Sequence, residues 1–141
     1  METLLIILVS IVSGALTFLI SNNLKKGPVF GSAVVTLVSG IFLPHFFGEF
    51  GTSLMVVAAC SSYAGMVAVK NIPNIWEMIV VSTITAILFI LASSAYLGVG
   101  GRLGTIAALS CFTWIGFKKF VFATNINLKN KLKYKSVGIW S

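Results

Sequence analysis

Residues Val29 to Val69 read VFGSAVVTLVSGIFLPHFFGEFGTSLMVVAACSSYAGMVAV, two apolar blocks joined by Gly48-Glu49-Phe50-Gly51. Glu49 is the one acidic or basic side chain in the stretch, apart from His45. Each block is about as long as a helix must be to cross ~30 Å of hydrocarbon at ~1.5 Å per residue. The same pattern continues on both sides. Apolar blocks at about Leu4 to Ser21, Val29 to Phe47, Thr52 to Val69, Ile75 to Leu97 and Leu103 to Phe122 alternate with short breaks that are polar or rich in glycine. The whole chain of 141 residues is 57% hydrophobic and 9% charged, with a mean hydropathy of +1.02. Soluble domains carry about a quarter charged residues, so an ordinary soluble domain is excluded.

These blocks predict an all-α polytopic membrane protein: five transmembrane helices in a single transmembrane domain, residues 1–124, then a basic tail over 125–141. The N-terminus has Glu2 where a secretory signal carries basic residues, and it lacks an A-x-A site. The first block is therefore expected to be a retained span. Five spans place the termini on opposite sides, and the lysines choose the orientation. With the N-terminus outside, Lys25, Lys26, Lys70, Lys118, Lys119, Lys129, Lys131, Lys133 and Lys135 all fall inside, and Arg102 alone falls outside. The expected location is the cell membrane, multi-pass, with a cytoplasmic C-terminus. The tail lysines, Lys129, Lys131, Lys133 and Lys135, read as a polybasic segment drawn to anionic lipid heads, at roughly 1 kcal/mol per lysine near the surface. They also serve to set topology. Nucleic acid is not an expected partner, because no recognition motif accompanies the lysines.

A pentapeptide occurs twice: Gly48-Glu49-Phe50-Gly51-Thr52 and Gly101-Arg102-Leu103-Gly104-Thr105. Each copy lies in an outer break, between an outgoing block and a returning one. The second and third spans therefore run in the same directions as the fourth and fifth, which predicts a parallel internal repeat about an axis along the membrane normal. A local reading coexists with it: the glycines, Gly48, Gly51, Gly101 and Gly104, suit a tight turn, and Thr52 and Thr105 suit a helix start. The charges of the two copies are opposite. Ionisable groups near hydrocarbon pair or face water, so Glu49 and Arg102 are expected at the outer mouth of a translocation path, paired across the axis or between subunits.

His45 precedes Glu49 by four residues and on a helix would share its face, as a proton relay or a weak metal pair requires. Two ligands do not make a metal site, and no metal or cofactor is expected. Pro44 and the pair Lys118-Lys119 predict that the second and fifth spans end short and leave a water-accessible dip. Ser61-x-x-x-Gly65 and Ser94-x-x-x-Gly98 are small-xxx-small pairs that let helices approach closely. Cys60 and Cys111 sit in separate apolar blocks, so neither a disulfide framework nor a CxxC site can form.

The chain has one histidine, no Asp and no hydrolase or nucleotide-binding motif. An enzyme is not expected. The function expected is a channel or secondary transporter for a monovalent ion or small solute, as a homo-oligomer; the alternative is a membrane-embedded accessory or assembly subunit bound to another membrane protein.

Overall fold

The computed structural model describes residues 2–23, 27–67, 71–92 and 101–137, with side chains as far as Thr124. Lys25, Lys26, Lys70, the Ser94/Gly98 pair and the side chains of the tail lysines lie outside the described residues, as does the end of the expected fourth span beyond residue 92. The described elements are helices: α1 (Glu2–Asn23), α2 (Pro28–Ala64), α3 (Ile75–Leu91) and α4 (Arg102–Val137). Three of them, α1, α2 and the Arg102–Thr124 part of α4, are long and apolar enough to cross a membrane, and α3 is a shorter apolar helix.

The helix count is thus four rather than five, and the difference lies in α2. Its 37 residues would span about 56 Å if straight, nearly twice a hydrocarbon core. Yet Ser32 Oγ and Ser62 Oγ are 2.9 Å apart, and Thr36 Oγ1 lies 3.1 Å from the same Ser62 oxygen. These contacts require α2 to fold back on itself as two antiparallel arms, residues 28–47 and 49–64. The fold is at Gly48, whose φ of 57° and ψ of −132° are non-helical, a conformation that a side chain would strain. A one-residue reversal leaves no loop between the two expected spans, so they form one element. Pro44 does not end the first arm early, as expected; it sits inside the helix, which runs on to Gly48.

Side-chain contacts give the direction of every arm. Gly31 packs on Thr17 and Ser21, which sets the first arm of α2 antiparallel to α1. Ser61 donates to the Ser10 carbonyl, and Gly65 packs on Gly14 and Thr17, so the second arm runs parallel to α1. Ser10 donates to the Ser82 carbonyl (2.7 Å) and the Met78 methyl lies against Gly14, making α3 antiparallel to α1. Cys60 Sγ approaches the Leu103 carbonyl (3.3 Å) and Cys111 Sγ the Ala64 carbonyl (3.8 Å), making α4 parallel to the second arm. Glu2, Gly48 and Glu49 therefore lie toward one end of the bundle, and Asn23, Ala64, Ile75 and Lys118 toward the other. Arg102 lies between them: its neighbour Leu103 meets Cys60, about 16 Å along the second arm from Glu49.

Burial is what a lipid solvent would select. The core holds Phe18, Ala64, Ile72, Met78, Val81 and Ala107, together with many small and hydroxyl residues. Large apolar side chains point outward, among them Leu8, Leu16, Leu37, Phe46, Trp76, Leu109 and Phe120. Water would penalise that surface by about 25 cal/mol per Å² of apolar area, whereas lipid tails do not. Beyond Thr124 the α4 backbone remains helical to Val137, so the expected boundary between domain and tail falls within one helix.

Candidate functional site

The bundle centre is built from hydroxyls. Along α1, Ser10, Ser13, Gly14 and Thr17 recur at helical spacing and are all buried. Ser10 and Ser61 reach across to neighbouring carbonyls, tying α1 to α3 and to the second arm of α2. Gly14 makes this junction possible: a Cβ there would collide with Ser82 Oγ and lie 2.8 Å from Ser61 Oγ. The sequence reading placed the small residues on the later spans and passed over this α1 stripe, although its i, i+3, i+4, i+7 spacing is the signal that finds it.

At the end opposite Gly48, two helices stop early. The backbone N–H of Gly65 bonds to the Ser61 carbonyl (3.0 Å), and two further turns, Met66 to Tyr63 and Val67 to Ala64, close α2 beside Thr17. From Thr17, α1 continues to Asn23, roughly 9 Å further. The Ser10–Ser82 contact gives the same offset for α3, which starts about 9 Å short of the end of α1. Irregular backbone at such a depth is tolerated where it is buried in protein or lines water. Ile72, on the segment that joins the two helices, is fully buried.

Glu77 stands at this indentation, in the first turn of α3. Lys118 Nζ donates to both of its carboxylate oxygens, at 2.9 and 2.8 Å, and Trp114 Nε1 donates to one of them at 3.2 Å. Trp114 and Lys118 are one turn apart on α4 and so present a single face. The negative carboxylate also lies near the positive end of the α3 dipole. The side chains are 16% exposed for Glu77 and 45% for Lys118, leaving the pair reachable from one side. Lys118 is legible in the sequence as a topology marker and as the expected end of a short span, but nothing in a single sequence pairs it with Glu77, 41 positions away. α4 continues as helix through Lys118, and what accompanies the lysine is a carboxylate on α3.

The residues expected at the outer mouth are not brought together: His45, Glu49 and Thr52 lie by the Gly48 turn, and Arg102 and Thr105 lie deeper, on either side of the Leu103 that meets Cys60. Glu49, His45 and Thr52 are exposed, with the His45 ring edge-on to Phe46. Glu49 begins the second arm of α2, where an acid complements the helix dipole. Arg102 begins α4, where a cation does not; its guanidinium lies over the Phe89 ring at 5.4 Å, and its Nε has no hydrogen-bond partner. Among the described residues Lys118–Glu77 is the ion pair; Glu49 and Arg102 do not form one within the chain. Thr105 Oγ1 bonds back to the Arg102 carbonyl at 2.8 Å, a local cap-like contact. Gly48 and Gly101 both have positive φ, 57° and 82°, immediately before a returning helix, so the two pentapeptides share that local geometry.

Among the described residues no three of His, Cys, Asp and Glu come together as a metal site. No protein-family model, curated protein or solved structure matches the chain.

Proposed function

We propose that this chain is an integral membrane channel or secondary transporter that moves a monovalent ion or a small neutral solute. The observation that carries the reading is the Glu77–Lys118–Trp114 cluster, set where α2 and α3 stop about 9 Å short of α1. Ionisable residues at membrane depth are costly and mark pathways when they occur. Interrupted helices are the usual walls of a transport site. Glu77 and Lys118 neutralise one another, which suits a singly charged or neutral passenger better than a divalent cation. The buried hydroxyls of Thr17, Ser61 and Ser82 supply polar groups at the bundle centre.

In this reading the chain crosses the cell membrane five times, with the two arms of α2 counted separately. The N-terminus is outside and the C-terminus inside, because lysines concentrate at the end that holds Lys118. Glu77 then faces the cytoplasm, Glu49, His45 and Thr52 surround the outer mouth, and Arg102 and Thr105 lie deeper beneath it. The tail lysines, Lys129, Lys131, Lys133 and Lys135, meet anionic lipid. The two antiparallel pairs, α2 folded on itself and α3 with α4, form the halves of a parallel repeat.

Flux into liposomes tests the proposal. Wild-type protein is expected to conduct protons, alkali cations or a small neutral solute, and Glu77→Gln is expected to lower the rate roughly tenfold, the equivalent of one lost charge contact of ~1.4 kcal/mol. Absence of flux for all three classes, with co-purification of the chain in a larger membrane complex, would overturn it in favour of an accessory subunit.

A further inference from the structure

Arg102 is a cation with no counter-charge in its own chain. The sequence holds three acids, Glu2, Glu49 and Glu77. Glu77 is engaged by Lys118. Glu49 lies about 16 Å along the second arm of α2 from Cys60, the level at which Leu103 meets that arm. Glu2 lies about 12 Å along α1 from Ser10, whose carbonyl meets Ser61 at nearly the same level. Arg102 itself is half-buried. Its guanidinium lies over the Phe89 ring, and its Nε is buried with no hydrogen-bond partner. A ring face offsets only part of the cost of taking a cation out of water.

The backbone at the same place adds positive charge. α4 begins at Arg102, beside the middle of the bundle rather than at its Gly48 end. The Thr105 N–H donates to the Gly101 carbonyl at 3.0 Å, so the N–H groups of Arg102, Leu103 and Gly104 precede the first bond within the helix and have no partner in it. Gly101, at the cap, has a φ of 82° and no side chain to accept from them. Thr105 Oγ1 is turned back to the Arg102 carbonyl. At Gly104 nothing among the described residues lies within 4 Å of where a Cβ would stand, which leaves that turn open to close approach. A helix N-terminus carries about half a positive charge, and its first N–H groups bind anions.

Depth and charge specify the occupant. One guanidinium is neutralised by one negative charge, and a dianion there would leave an uncompensated charge out of water. Lipid phosphates belong to the headgroup region outside the hydrocarbon, whereas Arg102 lies well inside the level of Glu49. The neighbours Phe89 and Cys60 offer an anion little to replace its water. Anions that are easily stripped of water are therefore favoured, bromide over chloride and chloride over fluoride.

We propose that the Arg102 guanidinium and the first turn of α4 hold a small monovalent anion, of the halide class, within the membrane. Ionisable groups at such depth pair or mark an ion path, and here the chain supplies the cation and leaves the anion to be bound. Binding at Arg102 goes beyond the transport reading and holds whether or not the chain conducts.

The test uses the full chain in uncharged detergent micelles, freed of halide by exchange into sodium gluconate, with bound radiolabelled chloride measured by equilibrium dialysis. Wild-type protein is expected to bind chloride saturably, and bromide to displace it at lower concentration than fluoride does. Arg102→Gln is expected to lose the saturable binding. Arg102→Lys is expected to weaken it roughly tenfold, because an ammonium lacks the planar fork of donors, and Lys119→Gln to leave it unchanged. Chloride is also expected to raise the melting temperature of the wild type over gluconate at equal ionic strength, and not that of Arg102→Gln. A guanidinium that only packs on Phe89 would give no such shift. Where Arg102→Gln does not fold, Arg102→Lys and the wild-type melting shift decide. Absence of saturable chloride on the wild type, equal binding by Arg102→Gln, or a tightly held phospholipid that chloride does not displace would each overturn the proposal.

Discussion

Lys118 of α4 holds Glu77 of α3 through both carboxylate oxygens, at 2.9 and 2.8 Å, and this contact ties the first turn of α3 to a helix that it otherwise meets through apolar packing. The pair is partly exposed, so its net contribution to stability is modest, about 1 kcal/mol. Its larger effect is to hold the Glu77 carboxylate in one orientation against α4, with Trp114 Nε1 as a second donor.

Reversal of the pair separates its two effects. Glu77→Lys with Lys118→Glu is expected to recover most of the thermal stability lost in either single variant, while leaving flux low because Trp114 Nε1 then has no carboxylate to bond. Melting temperatures and liposome flux on the four proteins check this.

Gly14 and Gly104 are expected to respond oppositely to alanine. Gly14→Ala forces a methyl group into Ser82 Oγ and should destabilise the bundle by about 1–3 kcal/mol, the usual cost of overpacking. Gly104→Ala meets nothing within 4 Å among the described residues and should be neutral or slightly stabilising in the isolated chain. Reversible unfolding in mixed micelles measures both.

Gly48→Ala should cost about 1–3 kcal/mol, the strain of a residue with a Cβ held at the observed positive φ. Gly27→Ala, also at positive φ, 93°, with nothing among the described residues within 4 Å of a Cβ, provides a comparison in which strain acts without disturbing a helix hairpin. A larger loss at Gly48 than at Gly27, in the same unfolding assay, is the expected result.

Cysteines placed singly at Glu49 and Lys119, in a background without Cys60 and Cys111, are expected to react with impermeant reagents from opposite sides of the membrane. Labelling of both from one side would break the proposed topology and the parallel repeat with it.

Much of the fold was legible because its causes are local. The apolar blocks reported helices directly, and Gly48-Glu49-Phe50-Gly51 reported a reversal. What the pattern missed was how narrow that reversal is: Gly51 lying flush on Leu43 removes any loop, and two expected spans become one helix. Pro44 misled for a related reason, since a helix can pass a proline whose freed carbonyl lies on an accommodating face. Glu49 and Arg102 were legible as opposite charges in two Gly-rich breaks, while their expected contact within the chain did not form and the Cys60–Leu103 contact sets them at different depths. Glu77 was readable as a charge but not as a partner.

The sequence by itself determined that this chain seeks lipid and alternates direction, because hydropathy and turn chemistry act over a few residues at a time. Only the tertiary structure decided where α2 and α3 stop relative to α1, because that offset is set by Ser10, Gly14 and Thr17 meeting Ser61, Gly65 and Ser82 across the bundle. The indentation, and the carboxylate–lysine pair within it, follow from those contacts between distant residues.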